Sequence, residues 1–234
     1  MSSHSHASYS SRLSSSKTLV QYIDTFLDYD PGDPNLTSAS LATDNDDLQI
    51  VQDQHTQKHY LYSQAATDRK KFFVIEPESI GKLISPIGSN IRGKFGKDSQ
   101  QYKSVKALIN KIRGEKPIKI TIDSSVESIS RCEKSFGSQL SYFKDIITLL
   151  SQFGTAYAPA NTAITILNLQ LVLSAALVAT NSVATTFANY KPLIESRSNG
   201  FISLHTKSQE IKDMVKSQYT IDSHEYKLVK GLRI

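Results

Sequence analysis

Cysteine is nearly missing from this chain. Cys132 is the one thiol in 234 residues, so no intramolecular disulfide can form, and no Cys pair or Cys/His cluster has the spacing of a zinc site. A reducing, cytoplasmic setting is the simplest expectation. Glycine and proline are also scarce, at 10 and 7 residues. Few turn formers mean few connections, and the long elements that result are helices in globular chains. No secretion signal is expected from MSSHSHASYSSRLSSSK, which lacks an apolar core, and residues 1–16 read as a flexible Ser-rich tail. Nucleophile elbow, phosphate loop and paired carboxylates are all lacking. Asp46 and Asp47 are adjacent and so point in different directions on a helix. No catalytic residue, cofactor or metal is therefore expected, and a non-enzymatic role is.

What is present is enough apolar sequence for a folded core, with hydrophobic residues at 39% and charged residues at 21%. Charge is distributed unevenly. Between Asp145 and Lys191 there is no Asp, Glu, Lys, Arg or His. Within that stretch the run from Ile164 to Thr180 is interrupted by Asn168, Gln170 and Ser174 and falls short of the roughly 20 residues that span a bilayer. Three readings apply: the most buried helix of a bundle, the contact face for a protein partner or a second copy, or a membrane-active segment over 164–180 like those of helical pore-forming toxins.

The chain resembles itself at an offset of 124 residues. Asp98-Ser-Gln-Gln-Tyr-Lys-Ser-Val-Lys-Ala-Leu108 aligns with Asp222-Ser-His-Glu-Tyr-Lys-Leu-Val-Lys-Gly-Leu232, identical at seven of eleven positions. The same offset pairs Ile87 with Ile211, Ile91 with Val215, Phe95 with Tyr219 and Ile23 with Ile147, and a one-residue slip pairs Pro34 with Pro159. The repeat halves cover about 17–110 and 141–234. Each half reads as a helix, a Pro-marked turn, a long helix and a short terminal helix. Ser124 with Glu127 resembles a capping box for the helix that carries Phe136, Leu140, Phe143, Ile147 and Leu150. Gly154 and Gly96 suit helix stops. Asn35 to Phe95 and Ala160 to Tyr219 contain few breakers, and helices of about 60 residues would be on the order of 90 Å long. Pro77, Pro86 and Pro192 are the expected kinks.

Two such hairpins bury their stripes best against each other. The expected fold is all-α: an elongated, antiparallel, up-down-up-down four-helix bundle forming one domain over 17–234, with both copies of the repeated motif at the same end. In each copy an acidic residue, Asp98 or Asp222, is expected to cap a short helix whose apolar edge carries Tyr102 or Tyr226. The plain role of that helix is a lid over the end of the bundle. Its exposed face offers a sharper one. Residues 92–119 hold nine Lys or Arg against two acids, and Arg92, Lys94, Lys103, Lys106, Lys227 and Lys230 become candidate contacts for nucleic acid, anionic lipid or an acidic protein patch.

Leu41, Leu48, His55 and Tyr62 recur at sevens, which sets His55 in an apolar stripe with His59 four residues on. Two histidines at that spacing can ligate a metal, but no matching ligands occur in the second half, and a core or boundary histidine is the expected role. The stretch Phe95-Gly96-Lys97-Asp98-Ser99 leading into Gln101-Tyr102-Lys103, with its echo at Asp222-Ser223 and Glu225-Tyr226-Lys227, resembles a motif of uncharacterised bacterial helical-bundle proteins. The second copy carries Thr220 and Ile221 where the first has Gly96 and Lys97. That resemblance implies a helical bundle and no particular activity. The preferred reading is an interaction or scaffold protein that docks a partner through its basic motif end or its uncharged long helix.

Overall fold

The computed structural model describes residues 8–114 and 135–234, and these are helical with no strand. The long helices are α1 (Tyr9–Thr25), α2 (Ser38–Lys70), α3 (Ile80–Phe95), α4 (Gln100–Arg113), α5 (Phe136–Gln152) and α6 (Ile166–Tyr219), with a short α7 (His224–Val229). The expected capping box at Ser124 lies outside the described residues. Ser135 caps α5, its hydroxyl accepting the Ser138 amide at 3.0 Å.

Two boundaries differ from the expectation. Residues 9–16 are helix rather than tail, because Ser8 caps α1 and Leu13, Ser16, Leu19 and Ile23 form a buried stripe at three- and four-residue spacing. The first long helix is interrupted: α2 runs into a π-helical turn (Lys71–Ile75) that buries Phe73 edge-on against Phe136, with ring centroids 4.6 Å apart. Pro77 lies just beyond that turn, whereas Pro86 and Pro192 sit inside α3 and α6 without ending them. A Cβ at Gly81 would meet the Phe73 carbonyl oxygen at 2.9 Å, so glycine there lets α3 start against the turn.

The chain forms two compact units, Met1–Tyr60 with Ala188–Ile234, and Leu61–Phe187. The first joins α1, the start of α2, the second part of α6 and α7. Its core is Leu13, Leu19, Ile23, Leu41, Leu48, Phe201, Leu204, Ile211, Val215 and Val229. The second joins the end of α2 with α3, α4, α5 and the first part of α6. There α4 packs against both α3 and α5, around Ile84, Ile87, Ile91, Val105, Ile109, Phe143, Ile146 and Leu150.

Local geometry recurs between the halves. Tyr29 donates its hydroxyl to the Leu36 carbonyl at 3.2 Å, and Tyr157 to the Ile164 carbonyl at 2.6 Å. Each closes a 3-10 turn whose first polar residue, Asp33 or Asn161, accepts the amide two residues on, and whose last, Thr37 or Thr165, donates back into the turn. The motif turns match as well. Gly96 and Thr220 both have positive φ, at 86° and 74°, and their amides bond to the Arg92 and Lys216 carbonyls. The cap in each copy is the serine and not the expected aspartate. Ser99 accepts the Tyr102 amide at 3.2 Å and Ser223 that of Tyr226 at 3.1 Å, which leaves Asp98 and Asp222 one position outside the helix.

Candidate interaction surfaces

The uncharged part of α6 is not the most buried helix. In its most apolar eighteen-residue window only 22% is buried, and by length and composition the helix can cross a membrane. Its inner side carries the buried Leu169, Ala176, Ala179 and Val183, of which Leu169 and Ala176 join the core of the second unit. Its outer side leaves Leu167, Leu171, Leu177 and Val178 at least half exposed. Leu167, Leu171, Ser174 and Val178 follow the 4-3-4 spacing of a coiled-coil seam, with Gln170, Asn181 and Ser182 alongside. Each large apolar side chain buried on such a face would stabilise a contact by about 2 kcal/mol.

The repeated lysines are divided between the units. Lys103 and Lys106 belong to α4 in the second, and Lys227 and Lys230 to the α7 region in the first. Lys227 donates to the Asp222 carbonyl at 2.6 Å, and Lys94, Lys103 and Lys230 extend into solvent. Arg92 and Lys106, by contrast, line a groove between α3 and α4 together with Ser85, Gly88, Ser89, Tyr102, Ile84, Ile109 and Arg113. Arg113 is one of the nine cations of residues 92–119. Its position eleven residues after Tyr102, on the same side of α4 as Lys106, is the signal that marks it. Tyr102 is half-buried at this groove, and Tyr226 lies beneath the Lys216 ammonium, 6.0 Å from its ring centroid.

His55 is buried. Arg197 approaches its Nδ1 at 3.1 Å and Tyr190 its Nε2 at 3.0 Å. A guanidinium can only donate, so Nδ1 is the bare nitrogen and Nε2–H donates to the tyrosine oxygen. Burial first, then the Arg197 and His59 charges, lower the His55 pKa and keep the ring neutral. His59 stacks parallel to it at 6.3 Å and completes an aromatic cluster with Tyr190. With both of its nitrogens engaged, His55 acts in packing rather than presenting a ligand pair. No protein family, no curated protein and no solved structure matches the chain.

Proposed function

We propose that the chain is a non-enzymatic interaction or scaffold protein, built from two duplicated helical hairpins, whose working surface is the outer face of α6 around Leu167, Leu171 and Val178. The observation that carries this reading is the apolar, charge-free first part of α6, left largely open on one side. Large contiguous apolar surface is uncommon on monomers and marks sites of association. The seam spacing fits a helix of a partner or of a second copy, and Gln170, Ser174 and Asn181 can hydrogen-bond across a protein contact but would be costly in hydrocarbon. The matched turns at Tyr29 and Tyr157, and the matched caps at Ser99 and Ser223, support the duplication.

The second reading is a membrane-active bundle, favoured by the length and low burial of the same window. One triple variant addresses both: Leu167→Asp, Leu171→Asp and Val178→Asp. The expected result is concentration-dependent self-association of the wild-type chain in analytical ultracentrifugation, abolished in the variant, with no dye release from neutral or anionic vesicles. A monomeric wild type that empties vesicles would transfer the surface to the second reading. A monomeric and inert one would remove this face from consideration.

A further inference from the structure

We propose that the groove between α3 and α4 is a binding site for a compact phosphate-class polyanion, of the size of pyrophosphate or a bisphosphate ester. The groove is open to solvent along one side and offers about 170 Å³, room for several waters or a small ligand. Three cations line it, Arg92, Lys106 and Arg113, together with three hydroxyls, Ser85, Ser89 and Tyr102, and among the described residues no carboxylate lines it. Ile84 and Ile109 supply the apolar part of the wall. On α3 the lining residues recur at three- and four-residue spacing, and on α4 Tyr102, Lys106, Ile109 and Arg113 do the same, so each helix turns one continuous face to the groove.

Lys106 and Arg113 are seven residues apart on α4, about 10 Å of helical rise, a span suited to two phosphoryl groups rather than one. Ammonium and guanidinium donors make the strong, charge-assisted bonds to such oxygens, and the hydroxyls can donate to those that remain. A Cβ at Gly88 would lie 3.1 Å from Ile109 Cδ1, so the missing side chain both admits Ile109 and leaves the space beside it open.

The other repeat shows what the same scaffold looks like when that space is filled. At the offset of 124, Gly88 becomes Lys212, Ser89 becomes Asp213, Arg92 becomes Lys216, and Tyr102 and Lys106 become Tyr226 and Lys230. Lys212 is buried and donates to the Leu232 carbonyl at 2.6 Å, and burial lowers its pKa. Asp213 adds a negative charge where Ser89 has a hydroxyl. The first unit thus keeps the tyrosine and the lysines while losing the open, acid-free interior. Favourable charge at helix ends accounts for Arg92 and Arg113, which sit in last turns, but not for Lys106 in the middle of α4. Lys106 is half-buried in the groove while Arg92 and Arg113 stand exposed at its rim, and three cations converging on a groove of this size suit a compact ligand.

The test is isothermal titration calorimetry of the full chain with sodium pyrophosphate at low ionic strength, with helicity of every variant checked by circular dichroism. The expected result is one saturable site per chain, weakened about tenfold or more by S89D and by the pair R92Q/K106Q. Inorganic phosphate should bind more weakly than pyrophosphate. The pair K216Q/K230Q should leave the binding unchanged. Absence of saturable heat at millimolar pyrophosphate would overturn the proposal, as would equal weakening by K216Q/K230Q, the mark of diffuse surface charge. Binding of a duplex oligonucleotide without binding of pyrophosphate would overturn it too.

Discussion

The α3–α4 pair and the pair formed by the end of α6 with α7 begin from the same turn and end with different interiors. Both have a positive-φ residue, a serine cap and a tyrosine three residues after the cap, and both bury the same core positions, with Ile87, Ile91 and Val105 matched by Ile211, Val215 and Val229. They differ at most of the positions that line the groove, Ile84, Ser85, Gly88, Ser89 and Ile109 standing where the other pair has Ser208, Gln209, Lys212, Asp213 and Arg233. Gly88 and Ser89 leave a groove, whereas Lys212 and Asp213 fill and neutralise the equivalent positions. The backbone frame is therefore held by caps and core, and the chemistry between the helices is set by side chains that the frame does not depend on.

The hardest way to break the comparison is to empty the second pair. Lys212→Gly removes a buried side chain, orphans the Leu232 carbonyl and places glycine inside a helix, and is expected to destabilise the chain by about 3 kcal/mol in urea denaturation. Gly231, just before that carbonyl's residue, gives the tail no compensating side chain.

The turn tyrosines come next. Tyr157→Phe leaves a carbonyl unpaired in the more buried of the two turns and should cost about 2 kcal/mol, against about 1 kcal/mol for Tyr29→Phe. Burial raises both phenols to about 12, from the usual 10. A raised acid keeps its stabilising proton below the unfolded-state value, so this contribution is complete below pH 10 and is lost as pH climbs toward 12. Urea midpoints measured across that range should fall less steeply in either phenylalanine variant than in the wild type.

The positive-φ turns give a smaller and signed effect. Thr220 holds a conformation that a β-branched residue adopts only under strain. Thr220→Gly is expected to raise stability by about 1 kcal/mol and Gly96→Thr to lower it by a similar amount. Nothing lies within 4 Å of a Cβ at Gly96, so backbone strain alone would be measured there. The smallest effect belongs to His55, whose pKa is lowered in the folded chain. Its contribution is complete above the ordinary value of about 6.5 and is lost as pH falls below it, when protonation would set two positive groups, the imidazolium and Arg197, face to face. His55→Gln should flatten the pH dependence of the denaturation midpoint between neutral and mildly acidic conditions.

Much of the helical content was legible because the apolar stripes are long and regular, as in Leu41, Leu48 and His55, all buried. The helix register between the halves was not. Sequence comparison at 124 pairs Ile23 with Ile147, yet the hydrogen-bonded equivalents are Ser8 with Ser135 and Phe26 with Phe153, an offset of 127, and Tyr29 with Tyr157, an offset of 128. A slip of three or four residues maps an apolar stripe onto itself, so periodicity cannot detect it, and only the polar turn residues fix the register. The serine caps were missed for a related reason: Asp98 and Ser99 are both good caps, and only the Tyr102 amide decides between them. For the groove, the basic residues were visible in the chain, but which of them converge depends on α3 and α4 lying side by side.

The first compact unit is discontinuous, since Met1–Tyr60 waits for Ala188–Ile234. At a synthesis rate of about 5–20 residues per second, a ribosome needs roughly 6–25 s to pass the intervening 127 residues, Leu61–Phe187. During that interval the greasy stripe of α1 has no α7 to lie against. The α1 stripe must therefore be sheltered by chaperones or remain unfolded until residues 188–234 have been made, and a ribosome stalled before residue 188 would leave that stripe exposed to aggregation.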